Sequence, residues 1–156
     1  MKKILMLFVV MISILLVTAC GNKEKEVLKT CTLEVNNSTA GYKVESTYEI
    51  YGRGKFVEKV ISNEIVTSES DEILNNFETA LNTTYKNMND TYGGYTFNIT
   101  KESGRVISNA EIDYTSMDFN KYINDNQDIK DYLDPNNKLL ISGVESLYKS
   151  LGATCN

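Results

Sequence analysis

The chain has 156 residues, the length of one domain, and a formal net charge of −5. It contains no histidine, so Ser-His-Asp, Cys-His and His-metal chemistry are all excluded. The acid excess gives no electrostatic help towards nucleic acid or an anionic leaflet.

Lys2 and Lys3 precede an uncharged apolar run from Ile4 to Ala19. Basic residues, a short apolar stretch and small residues at a cleavage point are the pattern of a secretory signal. The run is short for a bilayer span, which needs about 20 apolar residues. It closes on Leu16-Val17-Thr18-Ala19-Cys20, an apolar residue and small ones before a cysteine. That arrangement resembles the lipobox of bacterial lipoproteins, in which the cysteine sulfur receives a diacylglycerol before cleavage. Residues 1–19 are therefore expected to be a lipoprotein signal peptide, and residues 20–30 the lipidated cysteine and a charged tether. The covalent diacylglycerol on Cys20 would be the only attached group; no other cofactor is expected. Cleavage leaves 137 residues (156 less 19), and loss of Lys2 and Lys3 takes the charge from −5 to −7.

Residues 31–156 read as a single α+β domain. Cys31 to Val35 opens a strand, and Asn36 to Gly41 is turn material. Tyr42, Val44, Tyr48 and Ile50 alternate with Lys43, Glu45, Thr47 and Glu49, the period of a half-buried strand. Gly52-Arg53-Gly54 breaks it and Phe56 to Val66 is extended again, which predicts a β-hairpin. Which face of the second strand is buried stays open. Ser68 is the predicted start of an amphipathic helix of about five turns, with Ile73, Leu74, Phe77, Leu81, Tyr85 and Met88 as its stripe. Gly93-Gly94 stops it. Tyr95-Phe97-Ile99 and Val106-Ala110-Ile112-Tyr114 flank Ser103-Gly104-Arg105, a second hairpin. A short helix is expected around Phe119 to Ile123, with Pro135 ending what precedes it. Ser142 to Glu145 reads as a capping box, followed by a C-terminal helix with Val144, Leu147, Tyr148 and Leu151 as its stripe. Strands, helix, strands, helix give a mostly antiparallel sheet with a long helix and a shorter C-terminal one packed on it.

With Cys20 lipidated, Cys31 and Cys155 remain. Outside the cytoplasm thiols oxidise, so a Cys31–Cys155 disulfide is the economical pairing. Two structural thiols or a redox pair are the alternatives, and no Cys-x-x-Cys motif supports the latter. Ser146-Leu147-Tyr148-Lys149 has Ser-x-x-Lys spacing but none of the companion elements of serine-lysine acyl transfer. Asp125, Asp128, Asp131 and Asp134 recur every third residue without calcium-loop spacing or its central glycine, so they read as a solvated face. No catalytic and no metal-binding residue is assigned. The ten tyrosines fall mostly in register with the apolar faces and read as amphipathic core.

Several short stretches resemble the YehR-like bacterial lipoproteins, a family built on one domain of unassigned function. They are Cys20-Gly21-Asn22-Lys23-Glu24, Thr47-Tyr48-Glu49-Ile50-Tyr51-Gly52 and Tyr85-Lys86-Asn87-Met88. Glu111-Ile112-Asp113-Tyr114 leading to Met117-Asp118-Phe119, and the helix from Ile141 to Gly152, complete the set. Arg53-Gly54 departs from the acidic-lysine turn of that pattern. The resemblance implies lipid anchoring and an α+β fold, and it supplies no catalytic residues.

The sequence therefore leads to a membrane-anchored extracytoplasmic lipoprotein acting as a non-catalytic binding module. Its partners would be the membrane through the anchor, and an envelope protein, wall fragment or small solute, but no nucleic acid. The alternative is a carboxylate-dependent hydrolase of envelope glycans.

Overall fold

The computed structural model describes residues 26–156. The expected signal segment 1–19 and Cys20 lie outside the described residues. Six strands form one antiparallel sheet in the order β4-β5-β3-β2-β1-β6. They are β1 (Val27–Asn37), β2 (Tyr42–Arg53), β3 (Phe56–Ser68), β4 (Tyr95–Glu102), β5 (Arg105–Asp113) and β6 (Thr154–Cys155). The helices are α1 (Asp71–Tyr92), α2 (Phe119–Asp125) and α3 (Ile141–Ser150), with a 3₁₀ turn at Gln127–Tyr132. Among the described residues no helix is long and apolar enough to cross a membrane. Strand β1 opens inside the segment expected as tether: Lys29 pairs with Ile50 and Thr30 with Glu49.

The face left open by the sequence is settled by register. Ser46, Tyr48 and Ile50 stand opposite Glu64, Ser62 and Val60, so even-numbered positions share one face along this stretch, and past the register shift at Tyr51 and Gly52 Val57 joins the same face. All helices lie on that face. Leu74, Val66 and Val106 form one apolar cluster beneath α1, joined by Val44, Phe77, Leu81 and Ile99. Cys31, Tyr48, Ile50, Val57, Val60 and Val144 form a second beneath α3 and the 3₁₀ turn. Between them runs a polar belt, because Ser46, Glu64 and Ser108 are consecutive partners across β2, β3 and β5.

Helix α1 buries or half-buries every residue of its predicted stripe. Its cap is Ser70 rather than Ser68. Ser68 is turned inwards instead, where its hydroxyl donates to the Gly41 carbonyl and accepts the Ser70 amide. Nor does Ser142 cap α3, whose N-cap is Leu140 without a side-chain bond. The Leu140 amide donates to the Tyr132 carbonyl at 3.0 Å, which starts the helix earlier. Gly143 is needed for the close approach that follows, since a Cβ there would stand 2.6 Å from Tyr132 Cβ. Helix α3 buries Val144 and half-buries Ile141 and Tyr148, while Leu147 and Leu151 face outwards. The first three share a face at spacings of three and four.

Cys31 and Cys155 are bonded, with Cα atoms 4.0 Å apart. Their neighbours Thr30 and Asn156 exchange backbone hydrogen bonds, so the cysteines occupy the closer, non-hydrogen-bonded position of the β1–β6 pair. The bridge pins the last residues of the chain to β1.

Candidate functional site

Three distant segments meet at one end of the sheet and line a half-open cavity of about 730 Å³. The β2–β3 hairpin contributes Arg53 to Glu58, the turn after β5 contributes Tyr114 and Thr115 with Phe119, and the loop before α3 contributes Asn137 to Leu139. Backbone bonds tie them together. The Val57 amide donates to the Leu139 carbonyl at 2.9 Å, Ile141 to Lys55 at 3.0 Å and Tyr114 to Glu58 at 2.9 Å. Gly52 permits the hairpin, because a Cβ there would run into the Phe56 carbonyl where the β2–β3 register shifts.

The floor is apolar. Val57 and Leu139 are buried, Phe56 is half-buried, and Tyr114 and Phe119 meet edge to face with centroids 5.7 Å apart. The rim is cationic, formed by Arg53, Lys55 and Lys138. Glu58 is the one carboxylate in the lining, and Arg53 Nε stands 3.8 Å from it. Nearby Asp134 is turned onto its own loop, accepting the Asn136 and Lys138 amides at 2.9 Å each. Those amides, Lys138 first, hold its carboxyl below the usual range. The loop thereby fixes Lys138 at the mouth, and its ammonium lies 5.0 Å from the Phe56 ring centre. An apolar chamber of this volume with a few charged groups at its mouth suits a small amphiphile carrying an anion.

The polar belt is a second concentration of functional groups. Tyr48 donates to one Glu64 oxygen at 3.0 Å and Tyr85, from α1, to the other at 3.3 Å. Burial raises both phenols, Tyr48 to about 12, and the Glu64 charge adds to the effect. Ser46 stands beside Tyr48, and Ser62 and Ser108 beside Tyr85, yet none of the three buried hydroxyls has the geometry of a hydrogen bond. Tyr148 stacks on Tyr48 at 4.2 Å. This arrangement holds one carboxylate between the two apolar clusters.

The residues singled out by sequence lie elsewhere. Ser146 donates to the Ser142 carbonyl and Lys149 to Glu145, so the Ser-x-x-Lys pair does not meet. Asp125, Asp128 and Asp131 are exposed, and among the described residues no three cysteines or carboxylates gather as a metal site. All ten tyrosines are buried or half-buried. The cavity escaped sequence reading because its walls come from positions more than eighty residues apart.

No protein-family model matches this chain, and no curated protein does. Among solved structures, the NMR structure of the Escherichia coli YehR protein is similar, with 18% sequence identity and a TM-score of 0.53. The likeness covers 86% of this chain and 93% of that one. An NMR structure of a protein from Streptococcus pneumoniae TIGR4 matches at 15% identity and a TM-score of 0.49, over 87% and 88% of the two chains. The likeness to the first of these gives the chain a YehR-like fold.

Proposed function

We propose that this protein is a lipoprotein tethered through Cys20 to the outer side of a membrane, and that its body is a non-catalytic binding module. The binding site is the cavity beneath the β2–β3 hairpin, and its ligand is a small amphiphile with an anionic group. One observation carries the reading of the site: an aromatic and aliphatic chamber of about 730 Å³ opens between Arg53, Lys55 and Lys138. Cations at the mouth pair with the anion while the floor takes its apolar part. The glycan-hydrolase alternative calls for two carboxylates flanking one bond. Glu58 is alone in the lining and engaged with Arg53, and Glu64 is alone in the belt, so neither place favours it.

The test is a titration with 8-anilinonaphthalene-1-sulfonate, an anionic aromatic probe. The segment 26–156 serves, because it contains the six described strands, both apolar clusters and the disulfide. One saturable site per chain is expected, weakened at least about tenfold by the triple change Arg53→Glu, Lys55→Glu and Lys138→Glu. Absence of binding, or binding unaltered by the change, contradicts the assignment.

A further inference from the structure

We infer that the mouth of this cavity faces the membrane and takes the headgroup of an anionic phospholipid; the inference rests on the binding reading above and names its ligand. The first ground is where the chain joins the sheet. Val27, the first residue of β1, pairs with Tyr51, two residues before Arg53 at the hairpin tip. The cavity therefore lies at the same end of the sheet as the start of the described chain. The stretch from Cys20 to Val27 reaches at most about 25 Å when fully extended. Strand β2, with 12 residues, spans about 40 Å. A tether shorter than the sheet holds the cavity end nearest the membrane.

The second ground is the distribution of charge. The cavity lining carries three cations and one carboxylate. The opposite end of the sheet carries Glu69, Asp71, Glu72 and Glu102. Its cations are already engaged: Lys101 with Asp71 at 3.1 Å, Arg105 with Glu102 at 2.6 Å, and Lys43 with Glu34 and Glu45 at 3.0 and 3.1 Å. The acid excess of the whole chain argued against help from an anionic leaflet. Charge acts over only about 8 Å at physiological salt, so the end that meets the surface decides. At that end the cations gather on one patch, the cavity mouth, while Asp118 and Asp125 lie off it beside Tyr92 and Asp134 is held by its own loop.

The third ground is the shape of the mouth. Lys55 and Lys138 place their ammonium groups over Phe56, at 5.4 and 5.0 Å, with Arg53 fully out in solvent beside them (88% exposed). A phosphodiester at the rim meets up to three cations, and the glycerol and upper acyl chain reach the Tyr114–Phe119 floor. Each cation near an anionic surface contributes about a fivefold gain in binding, so losing three costs about a hundredfold.

The test uses the full chain as isolated from its own membrane, placed in nanodiscs of phosphatidylcholine with or without phosphatidylglycerol, and followed by backbone hydrogen exchange. In discs containing phosphatidylglycerol, exchange at 52–56 and 137–139 is expected to slow several-fold. The far-end turns at 37–41 and 102–105 should not change. The Arg53→Glu, Lys55→Glu, Lys138→Glu chain should lose the difference, and the Lys43→Glu, Lys101→Glu, Arg105→Glu chain, with the same change in charge, should keep it. Equal exchange in the two kinds of disc, slowing at the far end, or a chain that does not stay with the disc overturns the inference. If the dye still binds the cavity in that event, the binding reading stands and only the membrane-facing ligand falls. If neither dye nor lipid binds, both fall.

Discussion

The ammonium group of Lys138 lies 5.0 Å from the ring centre of Phe56, and Lys55, the residue before Phe56, sets its own at 5.4 Å. One aromatic ring thus gathers two cations from segments far apart in the chain. Phe56 also forms an isolated antiparallel bridge with Leu140, which fixes the loop against the hairpin. The cationic rim is a consequence of that bridge.

Replacing Phe56 by leucine keeps an apolar floor and removes the ring beneath both lysines. Cation–π contacts at such exposed sites contribute about 0.5–1 kcal/mol each. Phe56→Leu should therefore leave the circular dichroism spectrum unchanged and weaken the anionic dye about three- to tenfold. Unaltered affinity in a folded variant would show that the ring does not organise the rim.

The Cys31–Cys155 bridge closes a separation of 124 residues. In the chain-entropy view a loop that long stabilises by about 4–5 kcal/mol, and less if native contacts already hold β6. Thiol titration of denatured, unreduced protein should find neither cysteine free. The double variant Cys31→Ser, Cys155→Ser should unfold at clearly lower denaturant, with β6 losing exchange protection first.

The Tyr48–Glu64 bond makes a prediction in alkali. Burial raises the Tyr48 phenol from 10.0 to about 12 in the folded chain, and Tyr85, Tyr95, Tyr114, Tyr122 and Tyr148 are raised with burial as the leading cause. Between pH 10 and about 12 the unfolded chain has released the Tyr48 proton and the folded chain has not. The stabilisation is complete below pH 10 and is lost as pH rises towards 12. Unfolding midpoints should fall over that window, and Tyr48→Phe should flatten the fall. At neutral pH the same variant should lose about 1.5–3 kcal/mol, the worth of a hydrogen bond to a charged carboxylate. A midpoint insensitive to pH in that window contradicts the burial of these phenols.

Local rules carried most of the fold. The alternation Tyr42-Val44-Tyr48-Ile50, the breaks at Gly52-Arg53-Gly54 and Ser103-Gly104, and the stripe from Ile73 to Met88 each specify an element through period and turn chemistry. Caps were less legible, because Ser68 and Ser142 compete with nearby partners that only the tertiary structure supplies. The buried face of β3 was ambiguous because Ser62 and Glu64 sit where a core face calls for apolar residues. Register with Tyr48 and Ser46 resolves it. The cavity was not legible at all, since Arg53, Tyr114 and Lys138 belong to no common local pattern.

The anchor has its own check. Labelling with palmitate should be lost in Cys20→Ala while the body still folds, and processing should be blocked by globomycin. Labelling that persists in the variant contradicts the lipidation of Cys20.

The binding site itself is tested most directly by native mass spectrometry of the processed protein, released gently from its own membrane. A discrete added mass of a small anionic amphiphile, one per chain, is expected on the wild-type protein. The same mass should be missing from the Arg53→Glu, Lys55→Glu, Lys138→Glu chain. A wild-type protein that carries no added mass, and that gains none when incubated with the lipid extract of that membrane, would contradict the cavity as a binding site.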